Sequence, residues 1–245
     1  MIFADIHNHS LASVDDGARS EEMMYQMVDA AYADGIRILC LTPHFHPIHF
    51  GDNRQATLES FHKLQSYAAG RYPQLRLYLG NELRHSPSCD SWLREGFCRP
   101  LGDTTWVLVD FPADTGQHLI IRGLSQLLSM GYSPILAHAE RYSNLSLHTI
   151  RDLRRDGIRI QINAGSLTGC FGWSPRRRAR QLLRQRMVHL VASDAHDLKY
   201  RPPHLSTGYQ ITLKLTEQDY ADQIFYRNAV DLLENNQEGL VKEDE

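Results

Sequence analysis

His7 and His9 place two imidazoles one residue apart near the start of the chain, and Asp194 and His196 repeat that spacing far downstream. In extended backbone, side chains two positions apart share a face, so each pair can aim two donor atoms at one ion. Between the pairs come Asp15 and Asp16, His44, Glu82, Asp110 and His138. Carboxylates such as Glu82 and Asp110 are of the kind that bridge two cations in dinuclear hydrolytic sites. A mixed imidazole and carboxylate set suits manganese, iron or zinc, and no thiolate belongs to it to favour zinc strongly. One His-x-His alone is more often a surface or core histidine pair than a pair of ligands. The recurrence of acids and histidines is what points to metal.

The elements that must carry these groups are short β-branched or aliphatic runs at 2–6, 36–41, 75–79, 105–109, 133–137, 158–162 and 188–192. Most gaps between them show helical periodicity. Residues 21–33 repeat Met24, Met27, Val28 and Ala31, residues 120–130 form a second such stretch, and Gly35, Gly131 and Gly157 stand at helix ends. Alternating strand and helix predicts a parallel sheet, and periodicity alone leaves a doubly wound sheet and a closed barrel both open. Each run is followed by polar or ionisable residues: His7 and His9; Thr42 and His44; Asn81 and Glu82; Asp110; His138, Glu140 and Arg141; Asn163 and Ser166; Ser193, Asp194 and His196. In a barrel all strand C-termini open on one face, so these residues would converge in one bowl.

The length of 245 residues with 42% hydrophobic content suits one core, read here as a single domain over 1–234 followed by a polar, acidic tail at 235–245. A net charge of −3 provides no global field to recruit nucleic acid or a membrane. The first residues lack the basic and apolar segments of an export signal, no apolar run approaches the ~18 residues of a membrane span, and Cys40, Cys89, Cys98 and Cys170 form no CxxC pair. The expectation is a cytoplasmic protein with free thiols, without nucleic-acid binding or membrane insertion.

Asp5-Ile6-His7-Asn8-His9 followed by Val14-Asp15-Asp16-Gly17-Ala18 resembles the opening motif of the PHP (polymerase and histidinol phosphatase) superfamily. In particular it resembles the manganese-dependent tyrosine-protein phosphatases associated with bacterial capsule and exopolysaccharide systems. Further matches are Thr42-Pro43-His44, Gly80-Asn81-Glu82-Leu83-Arg84, 135–142, Asn163-Ala164-Gly165-Ser166 with Phe171-Gly172, and Ala192-Ser193-Asp194-Ala195-His196; together they run from Asp5 to about Arg201. The resemblance implies an α/β fold, a distorted seven-stranded (βα) barrel of the PHP type in a single domain, holding three divalent metal ions, manganese first, with iron or zinc as alternatives. It implies His7, His9, Glu82 and Asp194 around one ion, Glu82, Asp110 and His138 around a second, and Asp16, His44 and His196 around a third. Arg141 and Arg201 fall where the family places phosphate-binding arginines, and a planar guanidinium matches phosphate oxygens. Asp110 stands where relatives carry glutamate, so its shorter arm predicts a looser second ion or a shifted metal preference. Ala139 stands where proline is familiar.

The implied activity is phosphoric monoester hydrolysis by in-line attack of a metal-bridging hydroxide. The implied substrate is the phosphotyrosine-containing tail of a bacterial tyrosine kinase that regulates polysaccharide export. Two other readings compete: a small-metabolite or sugar phosphatase on the same scaffold, and a weakly active regulatory binder of the kinase tail.

Several other features read as ordinary structure first. His46 and His49 fit a mobile loop over the site better than extra ligation. The run Arg176 to Arg186 after Ser174-Pro175 fits a solvated helix face, with docking of an acidic partner tail as its functional reading. His62, His118, His148 and His189 fit surface or core positions. Cys170 and Arg176 satisfy the Cx5R spacing of cysteine-dependent phosphatases, but the intervening Phe171, Trp173 and Pro175 make a poor phosphate cradle, so a nucleophilic Cys170 is not expected.

Overall fold

The computed structural model describes residues 1–235. Its strands are β1 (Phe3–Asp5), β2 (Ile36–Leu41), β3 (His44–Phe45), β4 (Arg76–Leu79), β5 (Glu82–Arg84), β6 (Trp106–Asp110), β7 (Ser133–Leu136), β8 (Arg159–Asn163) and β9 (Leu190–Ala192). All pairings are parallel. One sheet has the order β1-β2-β4 and the other β3-β5-β6-β7-β8-β9. The result is a curled parallel sheet in a mixed α/β fold. The first and last strands meet beyond their ends, where Asn8 bridges Ala195, Asp194 N–H donates to the His7 carbonyl at 2.9 Å and His9 N–H to that of Ala195 at 2.9 Å.

Where seven runs were expected, the strands form nine segments. Each expected run contains a strand, but two runs stop and restart, at Thr42-Pro43 and at Gly80-Asn81. Pro43 has no N–H to give to a ladder; its carbonyl accepts instead from Glu82 N at 3.2 Å and Asn81 Nδ2 at 3.0 Å. Gly80 presses so close to Leu101 that a Cβ would lie 2.7 Å from that side chain. The interruption is shared by neighbouring strands, and past it His44 stands in register with Glu82.

The major helices are α1 (Glu21–Ala33), α2 (Pro47–Phe50), α3 (Arg54–Arg71), α4 (Cys89–Arg94), α5 (Gln117–Ser129), α6 (Leu147–Arg155), α7 (Ala164–Thr168), α8 (Trp173–Arg184) and α9 (Ser206–Leu213). Ser20 caps α1, its side chain accepting from Met23 N, and the helix buries Met24, Met27, Val28 and Ala31. α5 buries Ile120, Leu124 and Leu127 in the same way. Alternation along the strands divides the core into two layers. Val107 and Val109 of β6 face the helices, whereas Leu108 joins Ala4, Ile38, Ile135 and Leu190 inside the curl. The helical segment Gln218–Asn235 ends the described chain and packs Leu232 and Leu233 against that inner layer. Asn235, placed in the tail by the sequence reading, belongs to the last helical turn, and the rest of that tail lies outside the described residues.

Candidate metal centre

The strand ends deliver their polar groups into one hollow. His138 and Asp194 follow β7 and β9 with φ of 32° and 53°, a left-handed conformation uncommon for residues with side chains. These two turns stop the strands abruptly. On the opposite side, Gly17 packs so tightly against His9 that a Cβ would lie 2.0 Å from the His9 carbonyl oxygen.

Ligand atoms fall into three groups: His7, His9 and Asp194; Glu82, Asp110 and His138; and His9, Asp16, His44 and His196. Glu82 links them. Its carboxylate is 3.2 Å from His7 Nε2, 3.3 Å from His9 Nε2, 2.9 Å from His44 Nδ1 and 3.0 Å from His138 Nε2. Asp16 reaches His44 at 3.5 Å and His196 at 3.4 Å. Separations of this size are the edge lengths of a coordination polyhedron with bonds of ~2.1 Å. His9 stands close to the Asp16 group as well as to His7, a sharing that the resemblance did not imply.

The hydrogen bonds decide whether these nitrogens are free to ligate. His138 N–H donates to Gln161 Oε1 at 2.8 Å, which fixes that oxygen as an acceptor. His7 Nδ1, 3.3 Å from the same oxygen, must therefore carry the proton, and His7 Nε2 is bare. His9 Nδ1–H donates to Asp15 Oδ2 at 2.7 Å, so His9 Nε2 is bare too. With both rings neutral, two lone pairs would confront each other across 3.1 Å. Buried lone pairs are stable in that arrangement only with a cation or a proton between them. Glu82 Oε2 and His196 Nε2 are likewise buried without a hydrogen-bond partner, while His196 Nδ1–H is committed to the Asp194 carbonyl at 3.1 Å. The donor set therefore fits divalent cations, and its imidazole and carboxylate chemistry suits manganese, iron or zinc.

Electrostatics agree with this. Burial pulls the His7 and His44 imidazoles down, but the surrounding carboxylates, led by Glu82, outweigh it and push them up to about 9 and about 10. Burial alone would raise Glu82 and Asp194, yet His7 with His44, and His7 with Arg201, hold them below the usual carboxylate range. In the cation-free protein, protons stand in for positive charge.

Arg201 donates to Asp194 at 2.5 Å and Arg141 lies 3.8 Å from the same carboxylate, both partly exposed at the rim. The Phe171 ring sits beneath both guanidiniums, its centroid 5.9 Å from Arg141 and 5.6 Å from Arg201. A cavity of about 180 Å³ adjoins Arg201, lined by Phe171, Tyr200, Pro202 and Gly208.

The sequence model of the family described as capsular polysaccharide synthesis, CpsB/CapC, matches residues 3–234. The chain belongs to the CpsB/CapC family. It is 30% identical over 239 residues to the tyrosine-protein phosphatase CpsB of Streptococcus agalactiae serotype III, covering 95% of this chain and 98% of that protein. It is 30% identical over 236 residues to the tyrosine-protein phosphatase YwqE of Bacillus subtilis, covering 94% and 91%. Among solved structures, one from the study of Bacillus subtilis YwqE and Streptococcus pneumoniae CpsB, described as metal-dependent tyrosine phosphatases, superposes with a TM-score of 0.86 at 29% identity, covering 96% of this chain and 95% of that one.

Gln161, and the pairings made by several residues already named in the motifs, are not evident from the sequence of this family member. Gln161 lies mid-strand in β8; its amide donates to Asn163 Oδ1 at 2.8 Å, and Asn163 donates to Asp194 at 2.7 Å. Asp5 accepts from Ser193 N at 2.9 Å and Ser193 Oγ at 2.6 Å, tying the first strand to the last. Arg84 donates to Asp110, which also accepts from the Tyr142 hydroxyl at 2.8 Å. Alternation could have flagged Gln161, a polar residue at an inward strand position; nothing in the sequence pairs Arg84 with Asp110.

Other named residues fall elsewhere. Glu140 joins none of the three ligand groups and accepts from Ser166 Oγ at 2.5 Å and Asn163 N at 3.1 Å, pinning the turn after β8. His49 lies in the one-turn helix α2 rather than in the expected loop, whereas His46 precedes that helix, is buried, tilts against the His49 ring at 4.5 Å between centroids and meets Trp92 edge-on. Cys170 is exposed, with its sulfur 3.1 Å from Thr168 Oγ1, and all four cysteines are free.

Proposed function

We propose that this chain is a metal-dependent protein-tyrosine phosphatase that acts on the phosphotyrosine-containing tail of a bacterial tyrosine kinase of polysaccharide export. The observation that carries the reading is the pair of bare, buried imidazole nitrogens of His7 and His9 opposite Glu82 and Asp194, with two arginines at the rim. Relatives across nearly the whole chain are tyrosine-protein phosphatases. In this reading His7, His9, Glu82 and Asp194 hold one ion, Glu82, Asp110 and His138 a second, and Asp16, His44 and His196 a third, manganese being the leading candidate.

A phosphate monoester is dianionic and resists attack by an anionic nucleophile. Bound divalent ions supply charge neutralisation and a nucleophile available at neutral pH. Arg141 and Arg201 exchange part of their contact with Asp194 for the phosphoryl oxygens, and their hold strengthens as charge shifts in the transition state. Phe171 keeps both guanidiniums over the hollow while that exchange occurs. Gln161 and Asp15 fix which nitrogen of His7 and His9 stays bare. A tyrosyl leaving group is a good one, so no side chain is required as its proton donor.

The chain at 1–234 is taken as one domain, a distorted (βα) barrel whose seven runs are broken into nine strand segments; the curl of the parallel sheet and the Asn8 to Ala195 bridge support closure. It sets the protein in the cytoplasm, for which the free thiols argue. Among the described residues no helix is long and apolar enough to cross a membrane. The deciding experiment measures turnover of phosphotyrosine peptide, phosphoserine peptide and histidinol phosphate beside the metal content of the same sample. Preference for phosphotyrosine in proportion to bound metal is expected; turnover of histidinol phosphate alone, or none in a metal-replete sample, would overturn the reading.

A further inference from the structure

Helix α8 carries Arg176, Arg177, Arg180 and Arg184, which with Trp173 line a surface hollow of about 290 Å³. Arg176, Arg180 and Arg184 follow each other at four-residue spacing and so share one helix face. Among the described residues, no carboxylate lies within ion-pair distance of these four arginines. Burial and the neighbouring charges of Arg176 and Arg184 pull the Arg180 guanidinium down, as expected for crowded cations lacking a counter-charge. Trp173 is 71% exposed, and Arg177 stacks over its ring at 5.5 Å. A solvated helix face does not usually display a bare indole beside uncompensated arginines, especially in a chain whose net charge is −3.

This patch adjoins the metal hollow. Trp173 is two residues from Phe171, the ring beneath Arg141 and Arg201, so their backbones are at most ~7 Å apart. Arg176 in turn packs beside Gly169, where a Cβ would lie 3.4 Å from the arginine side chain. The 12-residue helix spans ~18 Å, the reach of about five or six residues of extended peptide.

We propose that the arginine face of α8 docks an acidic stretch of the same peptide whose phosphorylated side chain enters the metal hollow. The proposal rests on the phosphatase reading for what occupies the hollow, but docking itself needs no turnover. Aspartate and glutamate side chains would meet the arginines, and an aromatic or aliphatic residue would lie on Trp173. Charge complementarity favours this occupant, and continuity with the rim arginines sets the direction of the peptide.

The test compares the wild-type chain with the variant Arg176→Glu/Arg177→Glu/Arg184→Glu, which spares Arg180 because its guanidinium also holds the Leu167 carbonyl at 3.1 Å. Fluorescence anisotropy follows a labelled, unphosphorylated Asp/Glu-rich peptide. In parallel, kcat/KM is measured for phosphotyrosine peptides with acidic and with neutral flanks and for p-nitrophenyl phosphate. Wild type should bind the acidic peptide and prefer acidic flanks by about tenfold at low salt, with the preference fading as salt rises. The variant should lose binding and preference, while p-nitrophenyl phosphate turnover stays within about twofold, which also reports an intact fold. Equal treatment of both flanks by wild type, or retention of the preference by the variant, overturns the proposal. So does a variant that loses only its attachment to phosphatidylserine vesicles. If the acidic peptide binds but no phosphopeptide is turned over, the function reading fails and docking stands.

Discussion

The side-chain oxygen of Gln161 lies 3.3 Å from His7 Nδ1 and is locked as an acceptor by the His138 backbone. A residue that never faces the cation position thus chooses which His7 nitrogen does. Gln161→Leu should release the tautomer, leave the His138 N–H without its partner and weaken divalent metal affinity ~10–100-fold. Calorimetric titration with manganese would check this; unchanged affinity would mean that the ring is oriented by packing alone.

Glu82 touches four imidazoles. Glu82→Gln should lose metal and nearly all activity together while keeping the fold, seen as low metal content with an unaltered circular dichroism spectrum. Full occupancy with near wild-type turnover would remove Glu82 from the centre.

Arg141→Ala and Arg201→Ala should each keep the metals and lower kcat/KM by ~10–1000-fold, the loss expected for a charged phosphate contact. Phe171→Leu should lower it less, by about three- to tenfold, and Phe171→Tyr should restore it. Rescue is the informative arm, because leucine fills space without offering a ring face.

The raised His7 and His44 imidazoles, about 9 and about 10, give the pH dependence its sign. Their stabilisation of the cation-free fold is fully present below the ordinary imidazole pKa of ~6.5 and is lost as pH climbs through the raised values. Melting temperature in chelator should therefore fall on the alkaline side, and added metal should oppose the fall. Metal must also displace these protons, so apparent affinity should rise with pH up to that range. A pH-independent affinity would contradict the assignment.

Cys170→Ser should remain active, and chelation should abolish turnover. Activity that survives chelation and vanishes in Cys170→Ser would replace metal chemistry with a thiolate nucleophile.

Much of this was legible because strand C-termini sort themselves: apolar runs end where a polar residue must leave the curl, and His7, Glu82, His138 and Asp194 mark those ends. What stayed hidden depends on backbone geometry or on long-range pairing. Thr42-Pro43 and Gly80-Asn81 look like ordinary strand ends, and their joint effect of setting His44 beside Glu82 needs both neighbours at once. Asp5 and Ser193 are 188 positions apart, and Arg84 meets Asp110 through strand register. His49 lies in a helix rather than a loop because Pro47, fixed in φ, opens a single helical turn too short to show a periodicity in the sequence.

The meeting of β1 with the residues after β9 also bears on how the protein is made. Asp5 is synthesised long before Ser193, and its buried carboxylate waits for that residue, as His7 waits for Asp194. Contacts this distant in sequence form slowly and late. Until Asp194 has left the ribosome, the earlier histidines and acids stand without their counterparts, and afterwards Leu232 and Leu233 must still cover the inner layer. A nascent chain that stalls short of Asp194 would hold an incomplete set of ligands, so acquisition of metal should report that synthesis has passed this point.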